Sequence, residues 1–263
     1  MSKKSVILGA NRFNLLNQYE VDRLLSFALE LGIQRIDTAP SYRTSEKKIG
    51  NFLKRNPGTF QVSTKIFRNQ NEIGTKTGQE SLERSMDRLK VSKISCLYIH
   101  GTHLNPVDVS LIGAIKSYRE MLLVDKIGWC GHVSRDLNNS AGIYESLMIR
   151  VNPWDTAIEC RDDLLTVPEL IGMNIFANGF WEYKEWGRVK SLISAYLFRR
   201  FNPYPGFYLS HSESLLLRPY EDFQKLVSFA ESRKYLDAIV IGTLNHAHLR
   251  QIVAWISELE NRQ

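Results

Sequence analysis

Asp37 and Tyr42 stand close together in RIDTAPSYRTSEKKIG, Arg35 to Gly50, where a strand-like run gives way to a turn. Lys65 comes next to last in the run FQVSTKI, and His100 ends the run ISCLYIH. A carboxylate, a phenol, an ammonium and an imidazole at strand ends are costly inside a core unless they pair. Pairing Lys65 with Asp37 removes that penalty and leaves a positive field beside the Tyr42 hydroxyl. Such a field favours phenolate and brings the phenol from its free pKa of about 10 toward the operating pH, where it can give and retake a proton. Tyr42 is then a general acid, and His100 can hydrogen-bond the oxygen that receives the proton and fix its orientation.

Only a particular scaffold brings those four residues to one place. Short apolar runs rich in β-branched residues alternate with amphipathic stretches, the pattern of repeated strand–helix units around a parallel sheet. Eight runs are expected as strands: 6–10, 33–39, 60–66, 94–100, 126–132, 156–160 (TAIEC), 174–178 (NIFAN) and 237–243. Between them EVDRLLSFALELG carries Val21, Leu24, Leu25, Ala28 and Leu31 at helical spacing, with Gly32 placed to end the helix. SLERSMDRLK and HLRQIVAWISELE repeat the pattern, the second opening after Asn245 as N-cap. Residues 180–235 are longer and more irregular, and are expected to contain helices and a loop over the top.

Eight such units in 263 residues fit one closed (β/α)8 TIM barrel domain spanning 1–263, with the site at the C-terminal ends of the strands. Asp37, Lys65 and His100 then fall at the ends of strands two, three and four, with Tyr42 just beyond strand two. An open doubly wound sheet would want a G-x-G-x-x-G turn after its first strand, and LGANRFN has one glycine there.

Composition narrows the class further. Lys and Arg number 34 against 28 acids, net +6, but the basic residues are scattered in pairs among acids. That argues against a nucleic-acid tract and leaves room for an anionic small molecule. No window approaches 18 uninterrupted apolar residues, and the apolar run after Lys3 and Lys4 is too short for a signal segment, so a cytoplasmic protein with no membrane partner is expected. Cys96, Cys130 and Cys160 read as buried reduced thiols. His103, His211 and His246 have no metal-ligand spacing, so no metal is expected. Nothing argues for an assembly, and a monomer is the default.

The proton-transfer set lacks a hydride source, which no side chain provides, so a nicotinamide cofactor is implied. At this point the chain resembles the aldo-keto reductase superfamily. GIQRIDTAPSYRTSEKKIG is similar to the family's G-x-R-x-(I/F)-D-T-A-x-x-Y-x-x-(S/E)-E-x-x-(I/L)-G signature, VSTKI to its lysine strand, and CLYIHG to its D-L-x-L-I-H strand. LGANRF near the start and DAIVIGTLNHAHLRQIV near the end resemble further family segments. The resemblance maps the family's four catalytic positions to Asp37, Tyr42, Lys65 and His100. It implies NADP or NAD bound without a Rossmann domain, NADP slightly favoured, and a small polar aldehyde, ketone or sugar carbonyl as substrate.

The departures concern the cofactor. GWCG puts Cys130 where the family has a carboxamide-binding serine, and ECRDD puts Glu159 at the carboxamide-binding glutamine and Asp163 at the asparagine. The resemblance places Gly242, Thr243 and Asn245 at phosphate and ribose contacts, with the last helix's N-terminus open to an anion. It puts His248 where a 2′-phosphate-binding arginine is common. The aromatic that stacks on nicotinamide is expected among Phe176, Phe180 and Trp181, and an open pocket is expected between Trp129 and the segment from Phe180 to Trp186.

Each residue alone has an ordinary reading: Asp37 as a turn or cap residue, His100 as a satisfied structural histidine, Tyr42 as packing, Cys130 as a small hydrophobe. Joint occurrence at matching spacing carries the catalytic reading. Two alternatives remain open on the same residues. One is a nucleotide-sensing barrel with little turnover. The other is a non-redox sugar dehydratase or epimerase using Tyr42 and Glu159.

Overall fold

The computed structural model describes residues 5–67, 76–101, 117–131, 144–151, 167–175 and 233–260. Within them eight parallel strands follow one another around a closed barrel: β1 (Ser5–Gly9), β2 (Arg35–Asp37), β3 (Gln61–Phe67), β4 (Ile94–Gly101), β5 (Val124–Gly131), β6 (Ser146–Arg150), β7 (Leu170–Met173) and β8 (Ala238–Ile241). The architecture is the (β/α)8 TIM barrel expected from the alternating pattern. The described helices are α1 (Gln18–Glu30), α2 (Ser45–Arg55), α3 (Lys76–Leu89) and α4 (His246–Glu260). No helix among the described residues is long and apolar enough to cross a membrane.

Local chemistry explains the ends of these elements. Asn17 caps α1, its side chain accepting from the Glu20 N–H at 2.9 Å while the Glu20 carboxylate accepts from the Asn17 N–H at 2.7 Å. Beyond α1, Gly32 takes φ +77°, a conformation that glycine adopts without strain.

Alternation along each strand separates two cores. Side chains such as Leu8, Ile36, Leu97, Leu147 and Ile239 pack outward in the layer shared with the helices. Ile7, Tyr98, Cys130, Met148, Ile171 and Ala238 fill the barrel interior. At its centre the Tyr98 hydroxyl meets Ser146 Oγ at 2.9 Å. At the N-terminal end Glu169 is ion-paired with Arg35 at 2.8 Å and with Lys126 at 3.5 Å, leaving the C-terminal end for chemistry.

Three expectations are corrected. The sixth strand is SLMIR, Ser146–Arg150, and not TAIEC, which lies outside the described residues. The seventh is LIGM, Leu170–Met173, and stops before NIFAN because Asn174 turns to φ 60°, outside strand conformation. Trp129 faces the layer shared with the helices and not the barrel interior: alternation on β5 sends it outward, where it is 2% exposed and packs 6.3 Å from the Tyr144 ring. The 180–235 segment, apart from residues 233–235, lies outside the described residues.

Gly50, which ends the IDTAPSYRTSEKKIG run, is where α2 lies flush on the end of α3. A Cβ there would stand 2.0 Å from the Arg88 carbonyl oxygen and 2.8 Å from the Leu89 carbonyl carbon, both backbone atoms that cannot swing away. Gly50→Ala should therefore destabilise the fold by roughly 3 kcal/mol or more, read as a lowered urea midpoint at unchanged slope.

Candidate active site

The C-terminal end of the barrel holds a buried ion pair. Lys65 Nζ donates to Asp37 Oδ1 at 2.6 Å, to Asp37 Oδ2 at 2.5 Å and to the Thr38 carbonyl at 2.9 Å. Ser63 Oγ adds a 3.3 Å bond to Asp37 Oδ1. The side chains are 1% and 5% exposed, so water does not screen this attraction. Tyr42 follows on a 3-10 turn, Pro40–Tyr42, closed by its own N–H on the Ala39 carbonyl at 3.0 Å. Lys65 Nζ lies 5.2 Å from the Tyr42 ring centroid. Arg43, directly after it, takes φ 55°, a strained conformation for a side chain of this size.

The strand register places the rest. In an eight-stranded barrel the stagger raises side chains of alternate strands into common layers of four. The observed pairings put Gly9, Lys65, Cys130 and Met173 in one layer, and the 3.9 Å contact between Cys130 Sγ and Met173 Sδ follows from it. Asp37 shares the layer below with Tyr98, Met148 and Val240. One layer above, His100 and Arg150 face the small residues Ala39 and Gly242. Arg150 is 8% exposed and was not singled out in the sequence, because strand six was expected after it. Its position, not that of Glu159, is the end of strand six; Glu159 and Asp163 lie outside the described residues, as do Phe176, Phe180 and Trp181.

Electrostatics in this mouth corrects one expectation. Burial works against the Lys65 charge, but Asp37 and Tyr42 outweigh it and the ammonium's pKa goes up, keeping it charged. Tyr42 was expected to be brought down by Lys65, yet burial raises it above its ordinary value. Lys65 pulls the other way without prevailing, because Asp37 sits against the same ammonium and its negative charge opposes phenolate. The phenol is therefore a firmly protonated donor at neutral pH. Burial likewise pushes the Cys130 thiol up to about 12, so it is an uncharged group beside Lys65. Both described cysteines, Cys96 and Cys130, are free and buried.

Burial, helped by the Lys65 charge, lowers His100 from 6.5 to about 4, so the imidazole is neutral at pH 7. A histidine that is neutral when folded opposes folding in acid. The unfolded chain takes the proton as pH falls through about 6.5, the folded one only near 4, and stability is lost across that window by roughly 3 kcal/mol. His100→Gln should remove that share of the acid sensitivity, seen by comparing urea midpoints of both proteins at about pH 7 and about pH 4.

At the β8 end, Gly242 is exposed, and among the described residues a Cβ there would meet Asn11 Oδ1 at 3.4 Å and the Gly9 carbonyl at 3.9 Å, both ordinary contacts. Thr243 Oγ1 accepts from the Asn245 N–H at 3.2 Å. Asn245 does cap α4, but its Oδ1 already accepts from the N–H groups of Ala247 at 2.8 Å and His248 at 3.3 Å. The helix start is thus less open to an anion than expected: Asn245 must turn away before those donors reach one.

The sequence model of the aldo/keto reductase family matches residues 5–140, the half of the chain that contains Asp37, Tyr42, Lys65 and His100. The chain belongs to the aldo/keto reductase family. A curated relative, D-threo-aldose 1-dehydrogenase of a Pseudomonas species, is 28% identical over 140 residues, covering 42% of this chain and 43% of the relative. The match thus spans less than half of that relative's length. Two solved structures from Pseudomonas aeruginosa assigned as aldo-keto reductases superpose with TM-scores of 0.71 and 0.70, at 17% and 18% identity. They cover 98% of this chain and 91% and 92% of theirs, and support the barrel fold of the family.

Proposed function

We propose that this family member is an NAD(P)-dependent oxidoreductase that reduces a small polar aldehyde, ketone or sugar carbonyl, or oxidises the corresponding alcohol, with Tyr42 as proton donor. The observation that carries the reading is the water-excluded Lys65–Asp37 pair set against the Tyr42 phenol. A proton donor so held suits an oxygen that gains negative charge during reaction. The name of the Pseudomonas relative supports a sugar as the carbonyl compound.

The mouth has the chemistry that a nicotinamide dinucleotide needs, with small residues opposite His100 and Arg150 and an exposed glycine at Gly242. When bound, the reduced nicotinamide supplies the hydride. Tyr42 gives its proton to the oxygen as charge builds there. Lys65 stabilises the phenolate left behind, and Asp37 holds Lys65 in place. Neutral His100 donates a hydrogen bond to the same oxygen. Cys130, Gly242, Thr243, Asn245 and His248 are proposed to hold the dinucleotide, with Glu159 as a further candidate. A protein acting on its own in the cytoplasm fits this role, and NADP is favoured slightly over NAD.

The test is consumption of reduced nicotinamide, NADPH and NADH in parallel, against a panel of aldoses and small hydroxy-aldehydes. Steady oxidation with one carbonyl class is expected. Tight dinucleotide binding with no oxidation across the panel would favour the sensor reading, and product formed without added nicotinamide the dehydratase reading.

A further inference from the structure

The residues on either side of the Tyr42 turn are tied to two adjacent residues of β3. Lys65, facing inward, binds the Asp37 carboxylate and the Thr38 carbonyl ahead of the turn. Thr64, facing outward and fully buried, donates from Oγ1 to Glu46 Oε1 at 2.7 Å behind it. Glu46 is 1% exposed although it stands in the first turn of α2, between Ser45 and two lysines. Its other oxygen is taken by Arg88 of α3, from Nε at 2.7 Å and from NH2 at 2.6 Å, and Arg88 is itself steadied by Ser85 Oγ at 3.0 Å. Gly50, one turn further along α2, lies against the Arg88 backbone.

A buried carboxylate with every oxygen bonded is more than α2 needs for packing. Arg43 at φ 55°, between the Tyr42 turn and α2, is a strained residue that would relax if the far end of the turn were released. We infer that Glu46 is a positioning residue: its bond to Thr64 fixes the far end of the Tyr42 turn to the same strand that carries Lys65, and so sets the distance from the phenol to the ammonium. The inference rests on the proposed function for its kinetic consequence, but its geometric content stands without it. Arg88 holds the Glu46 carboxylate in its rotamer, and Thr64 transmits the position to β3.

Thr64→Val keeps the side-chain volume and removes only the hydroxyl. Its crystal structure should show the Tyr42 ring displaced from its place 5.2 Å from Lys65 Nζ. Its kcat should fall roughly 10- to 100-fold with KM within about twofold, since misplacing a reacting group acts on the chemical step. Thr64→Ser should restore both. Leu82→Ala, which truncates a fully buried α3 side chain outside the clamp, is the control for helix packing, expected to lower the melting temperature while leaving kcat within about threefold. Should Thr64→Val not fold, Glu46→Ala examined in the same two ways carries the test. Tyr42 unmoved relative to Lys65 in the valine variant, or an equal kcat loss in Leu82→Ala, overturns the inference. If the parent protein oxidises no reduced nicotinamide, the proposed function fails and the crystal structures alone decide on the clamp.

Discussion

Tyr42→Phe should lower turnover roughly 100- to 10,000-fold while leaving dinucleotide affinity within about twofold. The substitution deletes one oxygen and leaves the ring under Lys65 in place. It removes no buried charge, so Lys65 keeps its bonds to Asp37 and the Thr38 carbonyl. What disappears is the proton that the proposed mechanism transfers to the developing alkoxide. Because the phenol's pKa is raised, the parent protein holds that proton throughout the neutral range. Carbonyl reduction by the parent should therefore keep a flat pH profile through neutrality. Steady-state rates and fluorescence titration with the dinucleotide check both halves, and full turnover in the phenylalanine variant would remove Tyr42 from the mechanism.

Lys65→Met should have the largest effect on stability. It leaves the Asp37 carboxylate, 3% exposed, without its counter-charge, a loss expected to be roughly 3–5 kcal/mol. Replacing both partners, Lys65→Met with Asp37→Leu, should recover most of that loss, because a buried pair gains little net stability over an apolar pair of similar size. Activity should not recover with it. The pair would thus separate two roles: a small net contribution to folding, and a contribution to the field at Tyr42 that the proposed chemistry requires. Urea midpoints of the single and double variants measure the first and turnover the second. A double variant as unstable as Lys65→Met alone would contradict this division.

Some of this was legible in the sequence because local chemistry decided it. The short spacing from Asp37 to Tyr42, the strand alternation that turns Lys65 and His100 inward, and Asn245 as N-cap depend on neighbours within a few residues. Strand six did not. SLMIR is buried along its whole length because both faces of a parallel sheet are covered, so it shows no alternation, and its leucine and methionine suit helices equally well. TAIEC has the better β composition, yet pairing with β5 selects the earlier run, and that choice moves the strand end from Glu159 to Arg150. Glu46 was hidden for a related reason. In SEKKIG it reads as one charge among several on a solvated helix, and its partners Thr64 and Arg88 are remote in sequence. The raised pKa of Tyr42 was equally out of reach, since the desolvation that outweighs Lys65 arises only once the barrel end is folded around the phenol.

The most direct test of hydride chemistry in this mouth follows the hydrogen itself. With reduced nicotinamide deuterated at C4, tested as each C4 stereoisomer, one of the two should place deuterium on the former carbonyl carbon of every product molecule, with the hydroxyl proton drawn from solvent through Tyr42. Product that carries no deuterium from either isomer, or that forms equally well with no nicotinamide present, would contradict it.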